Sequence, residues 1–246
     1  IVYSPLDALT LAKENPDEQI VFVGVGFETT TPLVAMAIKR AKAMGLKNFS
    51  VFVAHKNMPG ALETIVADPA LKIDALILPG HVSTIIGVKP YEFLAQKYGI
   101  PGVITGFEPV DVLQGIAMIM RQLHEGRAEI EIAYSRGVMK EGNPVALAAI
   151  EEVFETVDAT WRGLGVIPGS GYAIRDEYKE FDAFARFSPE VEPTQEPKGC
   201  RCGDVLRGIM APNECPLFRK VCTPENPIGP CMVSSEGSCA AYFRYL

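Results

Sequence analysis

The sequence holds no cysteine before position 200; all six (Cys200, Cys202, Cys215, Cys222, Cys231 and Cys239) fall in the final stretch. It holds no histidine after His124 and a single tryptophan, Trp161. No apolar run approaches the roughly 18 residues that a membrane span needs. No basic-then-apolar leader opens the chain, so the cytoplasm is the expected location. Positive charge is in deficit, with a net charge of −7, which opposes nonspecific nucleic-acid binding. Neither nucleic acid nor a membrane is expected as a partner. The pattern GxxxxGK[ST] is missing, which excludes a Walker phosphate loop. An initial methionine is missing too: the chain opens at Ile1 in a helix-like segment that feeds a strand. An N-terminally truncated fragment of a longer protein is therefore expected.

What is present reads as a globular α/β chain, 48% hydrophobic and 22% charged. Residues 20–25, Ile-Val-Phe-Val-Gly-Val, form a short apolar run typical of a buried parallel strand. Thr31 and Pro32 suit the cap and first turn of a helix reaching about Gly45. Further strands are predicted at 49–54, 75–78, 102–105 and 130–134. Helices are predicted at 59–66, near 90–98, from 109 to about His124, and at 144–157. Residues 158–172 read as a structured connector. Strands alternating with helices at this spacing predict a doubly wound, Rossmann-like parallel sheet. The expected organisation is an α/β body over 1–187, with its sheet in about 1–135 and a helical extension in 136–187. A Pro-rich, charged linker at 188–199 and a cysteine module at 200–246 complete it.

In open parallel sheets, ligands bind beyond the carboxyl ends of the strands. Four such ends combine Gly, Pro and polar residues, at 26–31, 55–59, 79–83 and 106–109. They carry Glu28, Thr29, Thr30, His55, Lys56, His81, Ser83 and Glu108 to one edge. Glu28, Thr29, Thr30, Ser83 and Glu108 are the candidate ligand-binding residues. Loops after strands are polar in any α/β fold, and a carboxylate such as Glu28 can simply favour a helix N-terminus. Gly24-Val25-Gly26 lacks the third glycine of a dinucleotide fingerprint.

The cysteine spacing is C-x-C-x12-C-x6-C-x8-C-x7-C. Zinc modules usually show C-x2-4-C knuckles with histidine as an occasional substitute. Their absence disfavours zinc. An all-thiolate set spread among Gly and Pro turns suits an iron–sulfur cluster, which needs four soft ligands and would leave two thiols over. A dithiol beside a cluster could cycle as a disulfide. Zinc and three plain disulfides remain as the other readings.

Several strings together are similar to one family. They are Gly26-Phe27-Glu28-Thr29-Thr30-Thr31-Pro32, Pro79-Gly80-His81-Val82-Ser83, Gly106-Phe107-Glu108-Pro109, Trp161-Arg162-Gly163-Leu164-Gly165 and Gly199-Cys200-Arg201-Cys202-Gly203. Cys215-Pro216-Leu217-Phe218, Cys222-Thr223-Pro224-Glu225, Gly229-Pro230-Cys231-Met232-Val233-Ser234 and Glu236-Gly237-Ser238-Cys239 follow in order. The chain resembles the HypD family of [NiFe]-hydrogenase maturation proteins over essentially its whole length.

The resemblance implies a scaffold that, with a HypC-like partner and a HypE-like cyanide donor, assembles an Fe(CN)2CO unit. It implies a [4Fe-4S] cluster on Cys200, Cys215, Cys222 and Cys239, and a redox dithiol made of Cys202 and Cys231. Electrons would pass from the cluster to that pair and onward by thiol–disulfide exchange. His81 and Glu236 are candidates for a polar relay: His81 because histidine titrates near neutrality, Glu236 because it lies three residues from Cys239. The family also carries Cys-Gly-Thr-His-Thr and Gly-Cys-Pro-Val-Cys strings upstream of the matched region, and this sequence contains neither. The transient iron centre is thus expected only in the full-length protein, and the chain alone is not expected to complete assembly. The competing functions are an interaction module with a structural zinc knot, and a thiol–disulfide reductase of the ferredoxin:thioredoxin reductase type.

Overall fold

The computed structural model describes residues 1–190 and 197–246. The elements run α1 (Pro5–Glu14), β1 (Ile20–Gly26), α2 (Thr31–Ala43), β2 (Phe49–His55), α3 (Met58–Val66), β3 (Leu76–Pro79), α4 (Gly80–Ile86), α5 (Glu92–Tyr98) and β4 (Gly102–Thr105). They continue with α6 (Pro109–Glu125), β5 (Ile130–Ile132), α7 (Pro144–Val153), β6 (Phe154–Trp161), β7 (Gly165–Ile174) and α8 (Ala183–Phe187). Three short helices, α9 (Cys202–Leu206), α10 (Pro230–Val233) and α11 (Ser238–Tyr245), close the chain. Among the described residues no helix is long and apolar enough to cross a membrane.

The chain divides into two compact units. The first comprises Ile1–Gly60, Ala75–Ala159 and Pro168–Glu190. The second takes Ala61–Asp74, Thr160–Ile167 and the described residues from 197 onward. The expected linker at 188–199 falls partly on 191–196, which lie outside the described residues.

The first unit is mixed α/β with parallel pairing throughout its central strands. β1 pairs with β2 in register Gly26↔His55. β3, β4 and β5 form a second parallel sheet, with Pro79 opposite Thr105. By hydrogen bonding β1 to β5 thus make two parallel sheets, of two and three strands, where one continuous sheet was expected, and β6 and β7 form a separate two-stranded sheet. The main core lies where α2 and α7 meet β2. Val34, Ala35, Ile38 and Ala41 recur at helical spacing on the inner face of α2, against Ala149, Ile150 and Val153 of α7 and Phe49, Val51 and Phe181.

Three local expectations are corrected. The cap of α2 is Thr30, in the helical region, with no side-chain capping bond; Thr31 is already helical and its hydroxyl donates to Phe27 O at 2.8 Å. The string at 79–83 is not a loop, because α4 starts at Gly80, directly after β3. The helix expected to 157 ends at Val153, and what reads as helical extension and connector contains the paired strands β6 and β7.

Candidate functional site

In the second unit the cysteines are themselves the core. Cys202, Cys222, Cys231 and Cys239 are buried with Phe218, Met232 and Ala240, and Cys200 and Cys215 pack against them. So small a region has little aliphatic surface to bury, and thiols behave as small apolar groups. The backbone brings them inward through turns and short helices. Cys202 opens α9, while Cys231 and Cys239 sit at the second positions of α10 and α11. Cys215 follows the 3-10 turn Pro212–Glu214. Cys222 closes a turn in which its N–H donates to Leu217 O at 3.0 Å, and its sulfur accepts from Ile228 N at 3.4 Å.

Cys202 and Cys231 are joined in a disulfide, with Cα atoms 6.2 Å apart. Cys200, Cys215, Cys222 and Cys239 stand outside that bond. All six line one cavity, together with Leu217, Phe218 and Met232. Burial pushes the Cys239 thiol up to about 11, and the neighbouring Cys215, Cys222 and Cys200 add to the shift. Gly229 faces this group so closely that a Cβ there would run into Cys200 Sγ. The Trp161–Leu164 turn between β6 and β7 belongs to the same unit. A Cβ on Gly163 would stand 3.8 Å from Cys202 Sγ. Glu236 is exposed on the turn before α11, its N–H donating to Ser234 Oγ at 3.2 Å. Among the described residues no group of three His, Cys, Asp or Glu side chains is arranged to hold a single metal ion.

In the first unit the strand ends gather two polar groups. Glu28 is 2% exposed and its carboxylate accepts from Met58 N at 3.0 Å, so it caps α3 rather than its own helix. Burial raises it to about 6 against the lowering effect of its backbone hydrogen bonds. Ser83 is fully buried and shares a hydrogen bond with the buried Tyr91 hydroxyl at 3.3 Å. Burial raises the Tyr91 hydroxyl most, with the Glu28 charge as a smaller contribution in the same direction. Burial also raises the Tyr172 hydroxyl, with the Glu28 charge adding to it. Thr29 and Thr30 are exposed, beside a pocket that His55 also lines. The His55 ring nitrogens are buried without a hydrogen-bond partner among the described residues, and burial lowers this imidazole to about 4.

The second group forms at the ends of β3, β4 and β5. The exposed His81 ring lies 4.4 Å from Phe107 and 6.5 Å from Tyr134, centroid to centroid. Glu108 pairs with Arg136 at 3.4 Å, and Asp111 takes both Arg136 amino groups at 2.6 Å. That fork holds the Asp111 carboxyl below the usual carboxylate range. Asp111, Tyr134 and Arg136 were not singled out in the sequence. Asp111 lies in the first turn of α6, and Tyr134 and Arg136 lie just past a short strand; only their proximity to Glu108 and to the strand ends could have pointed to them. The sequence-predicted residues thus fall into separate sets: Glu28 and Ser83 around Tyr91, His81 and Glu108 around Tyr134 and Arg136, and the six cysteines. His81 and Glu236 belong to different units.

The family described as the hydrogenase formation hypA family, HypD, matches residues 1–246. The hydrogenase expression/formation protein HupD of Azotobacter chroococcum mcd 1 is 49% identical over 251 residues. The hydrogenase maturation factors HypD of Rhodobacter capsulatus and Cupriavidus necator are 50% and 47% identical, over 250 and 252 residues. Each alignment covers 100% of this chain and 66% of the relative, so the chain spans a little under two thirds of these proteins' length. The chain belongs to the HypD family of hydrogenase-formation proteins.

Proposed function

We propose that the chain serves hydrogenase maturation, as its relatives' names state for them, and that its contribution is a cysteine-borne redox centre attached to a Rossmann-like ligand-binding body. Cys200, Cys215, Cys222 and Cys239 would hold a [4Fe-4S] cluster. Four thiols around one cavity are the donor set such a cluster takes, and the bare Gly229 lets the backbone approach Cys200 closely. When bound, the cluster supplies or accepts single electrons.

The other two thiols carry the protein's own chemistry. The Cys202–Cys231 disulfide accepts two electrons and two protons to become a dithiol, and returns them when it closes. The observation that carries this reading is the partition itself: one bonded pair and four further thiols lining the same cavity. The separate strand-end sets, Glu28 and Ser83 behind the exposed Thr29 and Thr30, and His81 with Glu108 beside Tyr134, would serve the handling of a diatomic-ligated iron as cargo, in concert with HypC-like and HypE-like partners. His81 and Glu236 would act as polar relay groups, the work taking place in the cytoplasm.

The test is iron and acid-labile sulfide analysis of protein purified without oxygen. About four irons per chain are expected for one cubane cluster. Stoichiometric zinc without visible absorbance would favour the structural-knot reading and sink this one.

A further inference from the structure

The cysteine-rich unit contains a second recess beside the thiol cavity, polar and open to solvent, with about 530 Å³ of empty space that includes part of the open solvent. Its walls include Arg162, Arg201 and Arg207 against one acidic residue, Asp204. Arg207 is held in place: it meets Asp68, lies 2.8 Å from Asp204, and donates from Nε to Gly203 O at 3.0 Å. Arg201 also meets Asp204. One aspartate therefore faces two arginines within the recess. Arg162, exposed on the turn between β6 and β7, makes no hydrogen bond or ion pair among the described residues. Counting the Asp68 carboxylate that pairs with Arg207, three guanidinium groups meet two carboxylates, so the recess carries net positive charge in a chain whose net charge is −7.

The two sulfurs of the disulfide are not equivalent with respect to this recess. Cys202 is a wall of both the recess and the inner cavity, whereas Cys231 lines only the inner cavity. Overall exposure does not separate them, at 4% and 7%, so the direction of approach decides which can be reached. Gly163, at φ +82°, passes over Cys202 Sγ, with Arg162 as its neighbour in the turn. Cys202 and the guanidinium groups of Arg162, Arg201 and Arg207 line the same recess.

We propose that this recess is the docking site for an acidic, thiol-bearing peptide segment, and that Cys202 is the sulfur it engages. The idea rests on the dithiol reading above and adds the partner's chemistry and the order of exchange. The incoming thiolate attacks Cys202 Sγ. The Cys202–Cys231 bond breaks, Cys231 leaves with the bonding pair as a thiolate, and the partner becomes disulfide-linked to Cys202. A second thiol of the partner then attacks its own sulfur in that mixed disulfide, and Cys202 leaves as a thiolate. Two electrons have passed from the partner dithiol to the pair, and solvent protons complete both thiols. The reverse sequence reduces a partner disulfide.

The test uses the full chain with its disulfide formed, and two small thiols of opposite charge. Glutathione stands for the acidic peptide and cysteamine for a cationic thiol. Arg162→Glu lies on an exposed turn, and its circular dichroism shows whether the fold is kept. The variant is expected to open about threefold or more slowly with glutathione, and faster with cysteamine. Raised salt moves the two wild-type rates in the same opposite senses. With glutathione disulfide, Cys231→Ser is expected to form its adduct on Cys202, located by peptide mass spectrometry. Cys202→Ser is expected to form one on Cys231 at least about tenfold more slowly. Equal effects of Arg162→Glu on both thiols, or equally fast adducts at Cys231, overturn the docking site while leaving the dithiol reading in place. A bond that the neutral dithiothreitol cannot open overturns both.

Discussion

Two buried titratable groups in the first unit pull stability in opposite directions with pH. Glu28 is raised by burial from 4.5 to about 6, so the folded state holds its proton where the unfolded chain has lost it. Its contribution is fully present below pH 4.5 and is lost as pH rises through 6. His55 is lowered by burial from 6.5 to about 4, so the unfolded chain takes up a proton that the folded state refuses. Its contribution is complete above pH 6.5 and is lost as pH falls toward 4. At about 1.4 kcal/mol per pKa unit, these separations correspond to about 2 kcal/mol for Glu28 and about 3 kcal/mol for His55. The two slopes oppose each other between about pH 4.5 and 6. Glu28→Gln keeps an acceptor for Met58 N–H and removes one of them. The stability of the variant relative to the parent is expected to rise by about 2 kcal/mol from pH 4.5 to above 6. Urea midpoints across that range measure it, and a constant difference would remove Glu28 as the source.

At the scale of elements, the close approach of α4 to β4 is a backbone constraint at the strand ends. Gly80 starts α4 where a Cβ would run into Thr105 O and stand 2.9 Å from the Tyr134 ring. The contact is with backbone in a paired strand, so it cannot yield as a flexible side chain would. Gly80→Ala is expected to cost about 2–3 kcal/mol and to disturb the His81 and Phe107 rings, read by thermal unfolding and aromatic circular dichroism. A gentler change is Asn143→Ala. The Asn143 side chain caps α7 by accepting from Val145 N and Ala146 N, both at 3.1 Å, and its loss should cost about 1 kcal/mol in a denaturant titration. These elements also show what the sequence could convey. β1, β2, β3 and β4 were legible because each is an apolar run closed by Gly, Pro or a polar cluster. α4 was not, since Pro-Gly-His-Val-Ser carries turn residues and nothing local tells that Gly80 is helical. The β6–β7 pair was hidden by the good helix formers of Pro144–Val153, which run on into Phe154 and Glu155, and by Pro168 and three glycines within β7. The cysteines were legible as a set from their segregation. The recess beside Cys202 was not, because Arg162 and Arg207 approach it from separated segments.

For the whole molecule, the division into two units bears on how it unfolds. A chain with two compact units need not melt in one step, and a single midpoint then describes neither. The aliphatic core of α2, α7 and β2 belongs to the first unit. The second depends on its thiols, and its one disulfide joins residues separated by 29 positions. Closing a loop of that length restricts the unfolded chain by roughly 3–4 kcal/mol in the chain-entropy account. Opening the bond should therefore lower the stability of the second unit selectively. The sequence supplies a reporter, because its only tryptophan, Trp161, lies in that unit, while most of the helices and strands that set the far-ultraviolet signal lie in the first. In urea with a reductant, or with Cys202→Ala and Cys231→Ala combined, the fluorescence midpoint is expected to fall well below the circular dichroism midpoint, which should barely move. If both midpoints fall together, the two units unfold as one cooperative body and the disulfide stabilises the whole chain.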